Sequence, residues 1–98
     1  MIEATEKAVE KIKQFLEDNQ EGGKIRILLQ SQRNTPYLAM ILDEPKGDDL
    51  IVTEQGIPFI IDKELLEKAK PIRIDFIESA KRSGFQITSR LPVLGCYR

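Results

Sequence analysis

Histidine and tryptophan are absent from the 98 residues of this chain, and cysteine occurs once. Without histidine there is no imidazole base, no Ser/His or Cys/His nucleophile pair and no imidazole metal ligand. A single cysteine excludes an internal disulfide and is typical of a reducing compartment. The chain also lacks a glycine-rich phosphate-binding motif. These absences predict that the protein is not an enzyme.

Long apolar runs and a strong net charge are missing as well. The formal net charge is −1, which disfavours a nucleic-acid partner bound by phosphate neutralisation. No apolar run approaches the roughly 20 residues of a membrane-spanning helix. The N-terminus, MIEATEKAVEK, lacks the basic start and apolar core of a signal peptide. We therefore expect a cytoplasmic protein with no nucleic-acid or membrane partner.

The apolar periodicity predicts a helix, several short strands and a second, shorter helix. Ala8, Ile12 and Leu16 recur at helical spacing, with Thr5 as the N-cap of a helix over 5–18. Asp62 is the predicted N-cap of the second helix. Strands are predicted at 24–30, 37–42, 50–54, 57–61, 72–77 and 85–87, and the second helix at 63–70. This order predicts one α+β domain over 1–98 with mixed or antiparallel sheets.

Three segments outside these elements, and one proline inside a predicted strand, carry further expectations. Residues 31–36 form a polar loop in which Gln32, Arg33 and Asn34 offer donors to an anion or are simply exposed. The acidic segment 43–49 lacks the register of a calcium loop and is expected to be a solvated turn. Pro58 predicts an edge strand or an interrupted one. Pro92 and Gly95 oppose regular structure, so 89–98 is expected to be a flexible tail.

Several separated segments together resemble the HesB/IscA-like family, the A-type iron–sulfur carriers. The pairs Asp75-Phe76, Gly84-Phe85 and Ile87-Thr88 match the spacing of the family's C-terminal strands. The tract 51–62, with Gly56 at its turn, is similar to the family's central hairpin. The resemblance covers nearly the whole chain and implies the family's fold.

The resemblance also implies a metal site built on three cysteines, of which this chain retains one. Cys96 occupies the place of the first cysteine in the C-terminal Cys-Gly-Cys motif, and Arg98 occupies the place of the second. The upstream cysteine is expected near Gln32 or Arg33. Some family members are selenoproteins, so a further hypothesis is that the coding region continues past Arg98 through a recoded stop codon.

Two functions follow as hypotheses. In the first, the protein is an accessory or carrier-like protein of iron–sulfur cluster assembly. It binds iron or a cluster through Cys96 in a homodimer and interacts with assembly or client proteins. In the second, it is an interaction module that has lost the metal and recognises a partner through the 31–36 loop and the tail, including Tyr97 and Arg98. Cys96 is then inert or weakly reactive.

Overall fold

The structure, a computed structural model, describes residues 2–18, 23–81, 83–91 and 96–97. It confirms the predicted α+β class and contains two helices and two mixed sheets. The elements in chain order are β1 (Ile2–Ala4), α1 (Glu6–Asp18), β2 (Lys24–Gln32), β3 (Thr35–Asp43), β4 (Asp49–Glu54), β5 (Ile57–Asp62), α2 (Lys63–Ala69), β6 (Ile72–Glu78), β7 (Ser83–Thr88) and β8 (Cys96–Tyr97).

The strands form two four-stranded sheets whose edges lie side by side. One sheet has the order β1-β6-β7-β8 and the other β3-β2-β5-β4. Each contains one parallel pair, β1 with β6 and β2 with β5, while the other pairs are antiparallel. The edge strand β1 contacts β4, and the edge strand β8 contacts β3. The short strand β1 has no counterpart among the predicted elements.

Helix α1 begins where predicted because Thr5 satisfies its first turn. The backbone N–H of Ala8 donates to Thr5 Oγ at 3.2 Å, and Thr5 Oγ donates to Asp75 Oδ1 at 2.9 Å. Ala8 and Ile12 are buried as the stripe predicts, but Phe15 at the same spacing is about half exposed. The threonine therefore both caps the helix and ties it to strand β6.

Both tight turns of the second sheet have two residues in the left-handed region. Gln55 and Gly56 have φ values of 50° and 85° and join β4 to β5 as predicted. Arg33 and Asn34 have φ values of 53° and 65° and join β2 to β3. Positive φ at both central residues is typical of type I′ turns, whose twist matches that of the flanking strands.

Of the two expectations for Pro58, the structure shows the interrupted pairing and not the edge strand, because β5 lies between β2 and β4. Pro58 faces Thr53 of β4, while the pairing of β5 with β2 begins one residue later, at Phe59. The missing N–H of proline therefore interrupts no bond to β2. Proline is accommodated here by a short pairing rather than by a sheet edge.

One apolar core joins both helices and both sheets. Its buried members are Ile2, Ala4, Ala8, Val9, Ile12, Ile25, Ile27, Leu38, Ile57, Phe59, Ile61, Leu66, Ala69, Ile72, Ile74 and Ile87. The strand predicted at 72–77 is confirmed as β6, on which Ile72 and Ile74 are buried and Arg73 and Ile77 are exposed. Phe76 and Phe85 meet edge to face, with ring centroids 5.0 Å apart, at the margin of this core.

Candidate functional site

The single cysteine lies on a short strand at the edge of the first sheet. For Cys96 and Tyr97 the structure describes the backbone, and Arg98 lies outside the described residues. Cys96 pairs with Gln86 of β7, and Tyr97 pairs with Phe85. The tail that was expected to be irregular thus contains a two-residue strand. Strand pairing gives the cysteine a defined backbone position beside strand β3.

The predicted polar loop at 31–36 is wrong in its extent. Strands β2 and β3 pair as far as Gln32 and Thr35, so the connection consists of Arg33 and Asn34 alone. Both side chains are exposed at the end of this hairpin. The alternation of apolar residues stops at Leu29, so nothing in the sequence indicated that the strand continues to Gln32. Strand pairing does not require apolar side chains.

The structure brings some of the predicted site residues into neighbouring strands. Strand β8, which carries Cys96 and Tyr97, contacts β3, the strand that follows the Arg33–Asn34 turn. Tyr37, two residues into β3, donates its hydroxyl to Gln30 Oε1 of β2 at 2.8 Å. The two predicted segments are therefore both linked to strand β3, one by the hairpin turn that precedes it and the other by contact with β8.

An ion-pair network centred on Arg26 was missed by sequence reasoning. Arg26 Nε donates to Asp43 Oδ2 at 2.6 Å, and its two Nη atoms donate to the Asp49 carboxylate at 2.9 and 2.6 Å. Nη2 also donates to the Glu44 carbonyl at 3.1 Å. The Arg26 side chain is 13% exposed and that of Asp49 8%, so this network is largely shielded from water.

The network shifts the pKa of each carboxyl group downwards. Hydrogen bonds from Arg26 and from the Lys46 backbone N–H lower the pKa of Asp49 to about 2. The pKa of Asp43 is lowered by the backbone N–H of Glu44 and then by Arg26. The same carboxylates raise the pKa of Arg26. Arg26 therefore stays charged and is already neutralised by partners from its own chain.

This network changes the interpretation of the acidic segment 43–49. The segment is a turn, as expected, but two of its carboxylates hold the ends of β3 and β4 against Arg26 rather than facing water freely. An arginine on the outward side of a strand and a downstream acidic cluster were both visible in the sequence. Their meeting depended on β2 lying between β3 and β5.

The chain offers few side chains that could bind a metal ion. The chain has one cysteine and no histidine. Within the residues that the structure describes, no three side chains of His, Cys, Asp or Glu come together as a metal site. Because iron–sulfur clusters are commonly held by four thiolates, the described residues of one chain do not fit a cluster. No helix within 2–18 or 23–81 is long and apolar enough to cross a membrane.

The chain is similar in sequence to two kinds of relative. A protein of Bradyrhizobium diazoefficiens, described as uncharacterized protein blr1755, is 30% identical over 98% of this chain and 93% of its own length. The iron-binding protein IscA of Enterobacter sp. (strain 638) is 24% identical over 90% of this chain and 84% of its own length. No family model matches the chain.

Solved structures share the fold at low identity. The structure of IscA with a [2Fe-2S] cluster has a TM-score of 0.74 at 22% identity and covers 100% of this chain and 99% of its own. Escherichia coli SufA, described as involved in the biosynthesis of iron–sulfur clusters, has a TM-score of 0.74 at 15% identity, covering 88% of this chain and 77% of its own. At these identities the likeness concerns the architecture alone.

Proposed function

The chain belongs to the HesB/IscA-like family of A-type iron–sulfur carriers, and on that premise we propose that it acts as a carrier-like or accessory protein of iron–sulfur cluster assembly. The same membership confirms that it is not an enzyme, because proteins of this family are carriers. Its cargo is iron or a [2Fe–2S] cluster, and its partners are assembly or client proteins. The single cysteine agrees with a cytoplasmic setting.

The observation that carries this proposal is the placement of Cys96 on strand β8. Pairing with Gln86 holds the cysteine backbone at the edge of one sheet, next to β3 of the other. A thiolate that is presented on a paired strand needs less ordering on binding than one on a free chain end. Cys96 is therefore the proposed ligand for the cargo.

One thiolate per chain implies a shared site. Two copies related by a two-fold axis would contribute two Cys96 thiolates, and the remaining positions on iron would be filled by Tyr97 oxygen or by soluble thiols such as glutathione. Binding is then weaker than in a three-cysteine carrier and depends on dimer formation. The retention of only one of three family cysteines is part of this proposal.

Anaerobic reconstitution tests the assignment of Cys96. Wild type and Cys96→Ser are incubated with ferrous iron, sulfide and glutathione, and then desalted. Visible absorption, iron and sulfide content and mass are measured. We expect colour and about one cluster per two chains in the wild type, and loss of both in the variant. Tyr97→Phe is the companion variant, and its retained colour would assign the other positions to soluble thiols.

The fold of each variant is checked by circular dichroism, so that a loss of colour reports on the ligand. A wild type that stays colourless and monomeric with glutathione present, and behaves like Cys96→Ser, contradicts the carrier role. That outcome would favour the second function, an interaction module that has lost its metal. The small donor set is the observation that favours this second candidate.

The interaction module is tested at the hairpin turn. Replacing Arg33 by Asn and Asn34 by Gly retains a sequence suited to a type I′ turn while removing the arginine donors. The probe is the apo form of a [2Fe–2S] ferredoxin as a model client, with affinity measured by interferometry. Under this function the double variant binds less tightly, whereas Cys96→Ser binds as well as the wild type. Equal binding by all three would count against it.

A further inference from the structure

Among the residues that the structure describes, the second half of strand β2 has a neighbouring strand on one side only. Strand β3 pairs with β2 along its full length, whereas the pairing of β5 with β2 is confined to Ile25, Arg26 and Ile27. Beyond that point β5 ends at Asp62 and the chain turns into α2. Within the described ranges, no strand pairs with residues 28–32 on this side. Such an edge offers unpaired backbone donors and acceptors to another extended chain.

A groove of about 360 Å³ runs beside the start of this edge. Leu28 and Leu29 line it from β2, Leu65 from α2, and Leu91 from the segment after β7. Leu29 is 47% exposed, so much of its side chain is available for contact with a bound segment. The groove therefore pairs a free strand edge with an aliphatic wall, which is the arrangement that strand-adding binding sites use.

The charged residues of the groove leave an excess of negative charge. Asp62 and Glu64 stand at the end where β5 stops, and Lys68 lies one helical turn beyond Glu64. Arg26 also lines the groove, but its charge is already met by the two aspartates of its network. The wall thus favours a cationic group in whatever binds there.

We propose that an extended segment of a partner protein binds in this groove as an added strand next to residues 28–32. Aliphatic side chains of the segment lie against Leu29 on one face of β2 and against Leu28 on the other, because neighbouring residues of a strand face opposite sides of the sheet, and Leu65 lines the groove from α2. A lysine or arginine of the segment lies beside Asp62 and Glu64. The proposal concerns backbone pairing at residues 28–32 and does not depend on whether the protein carries iron.

The geometry favours a single strand over a second copy of this chain. Helix α2 contributes Glu64, Leu65 and Lys68 to the lining of the groove. A second copy that joined through its own β2 edge would bring its own α2 and its own Asp62 and Glu64 to the same place. Steric crowding and like-charge repulsion oppose that arrangement, while one extended peptide avoids both.

Peptide binding to Cys96→Ser protein tests the proposal independently of metal. The probe is a fluorescein-labelled octapeptide, Lys-Val-Thr-Val-Thr-Val-Thr-Val, used together with its reversed sequence because the strand direction is open. Binding is followed by fluorescence anisotropy at low salt and by amide hydrogen exchange. We expect one of the two peptides to bind and to protect alternate amides within residues 28–32. A peptide with N-methylated alternate residues should not bind.

Matched variants separate the groove from other exposed leucines and acids. Leu29→Thr should weaken binding about five- to tenfold, whereas Leu50→Thr on β4, where leucine is 37% exposed, should leave it unchanged. Glu64→Lys should weaken binding several-fold at low salt and less at high salt, unlike Glu17→Lys on α1. Threonine retains strand propensity, so both leucine variants are expected to fold.

Three outcomes would overturn the proposal. Protection on β4 instead of β2 would place strand addition elsewhere. Equal binding of the N-methylated peptide would show that backbone pairing is not used. Concentration-dependent dimers that protect 28–32 without peptide would identify a second copy as the occupant.

Discussion

Two isoleucines on strand β6 differ in burial but share residue type and secondary structure. Ile74 is 0% exposed and belongs to the core, while Ile77, three residues later, is 45% exposed. Each is replaced by alanine. Because both substitutions lose the same β-branched strand preference, the difference between their effects on the free energy of unfolding isolates the contribution of burial.

The expected magnitudes follow from the exposed fractions. Ile74→Ala removes a fully buried side chain and leaves a cavity, which costs about 3 kcal/mol within the usual range of roughly 2–5 kcal/mol. Ile77→Ala removes a side chain that is nearly half in water and creates no enclosed cavity, so about 1 kcal/mol or less is expected. In a domain of this size the first change lowers Tm on the order of 10–20 °C.

Urea unfolding followed by far-ultraviolet circular dichroism measures both values, since the chain contains no tryptophan to report by fluorescence. Unchanged m-values would show that the denatured state is unaffected. Should Ile74→Ala be too unstable to measure, Ile74→Val is expected to cost about 1 kcal/mol. Equal costs at the two positions would refute this account of β6. A cost at Ile77 that grows with protein concentration would mean that a second molecule covers it.

Three further changes test the other features of the fold. Asp49→Asn should lower the free energy of unfolding at pH 7. The difference from wild type should shrink as pH falls from about 4 towards 2, because the pKa of Asp49 in the folded protein, about 2, lies below the ordinary value of about 3.9. Urea midpoints measured across this pH range test it, and a constant difference would contradict it. Gly56→Ala should cost about 1 kcal/mol, since φ is +85° there although space is available, while Gly56→Asn should cost less; thermal unfolding compares the two. Thr5→Val should lower the free energy of unfolding by about 1 kcal/mol through loss of the N-cap, whereas Thr5→Ser should be nearly neutral. Calorimetry measures both, and equal effects of the two variants would contradict the capping role.

Many helices, strands and turns were predictable because short-range sequence patterns indicate them directly. The stripe of Ala8 and Ile12 specified a helix, the alternation from Ile72 to Ile77 specified a strand, and Gln55-Gly56 specified a two-residue turn. In each case the side chains that bury and the residue that accepts positive φ lie within a few positions of one another. Asp62 capped the second helix for the same local reason.

The sequence-based predictions failed where pairing with a strand distant in sequence decides the conformation. Polar residues 31–32 and 35–36 became strand because each pairs across the turn, and sheet hydrogen bonds are indifferent to side-chain polarity. For Pro58 the local sequence left two alternatives, and the position of β5 between β2 and β4 decided between them.

By itself, the sequence determined the fold class, the positions of the two helices and of the Gln55-Gly56 turn, the family likeness and the scarcity of metal ligands, because these follow from composition and short-range periodicity. Only the tertiary structure decided that Arg26 meets Asp43 and Asp49 and that Cys96 lies on a strand beside β3. It also decided that, among the residues the structure describes, no strand pairs with 28–32 of β2 on the side opposite β3. These depend on strand order, and strand order follows from which apolar faces bury together across the whole chain rather than from any one segment.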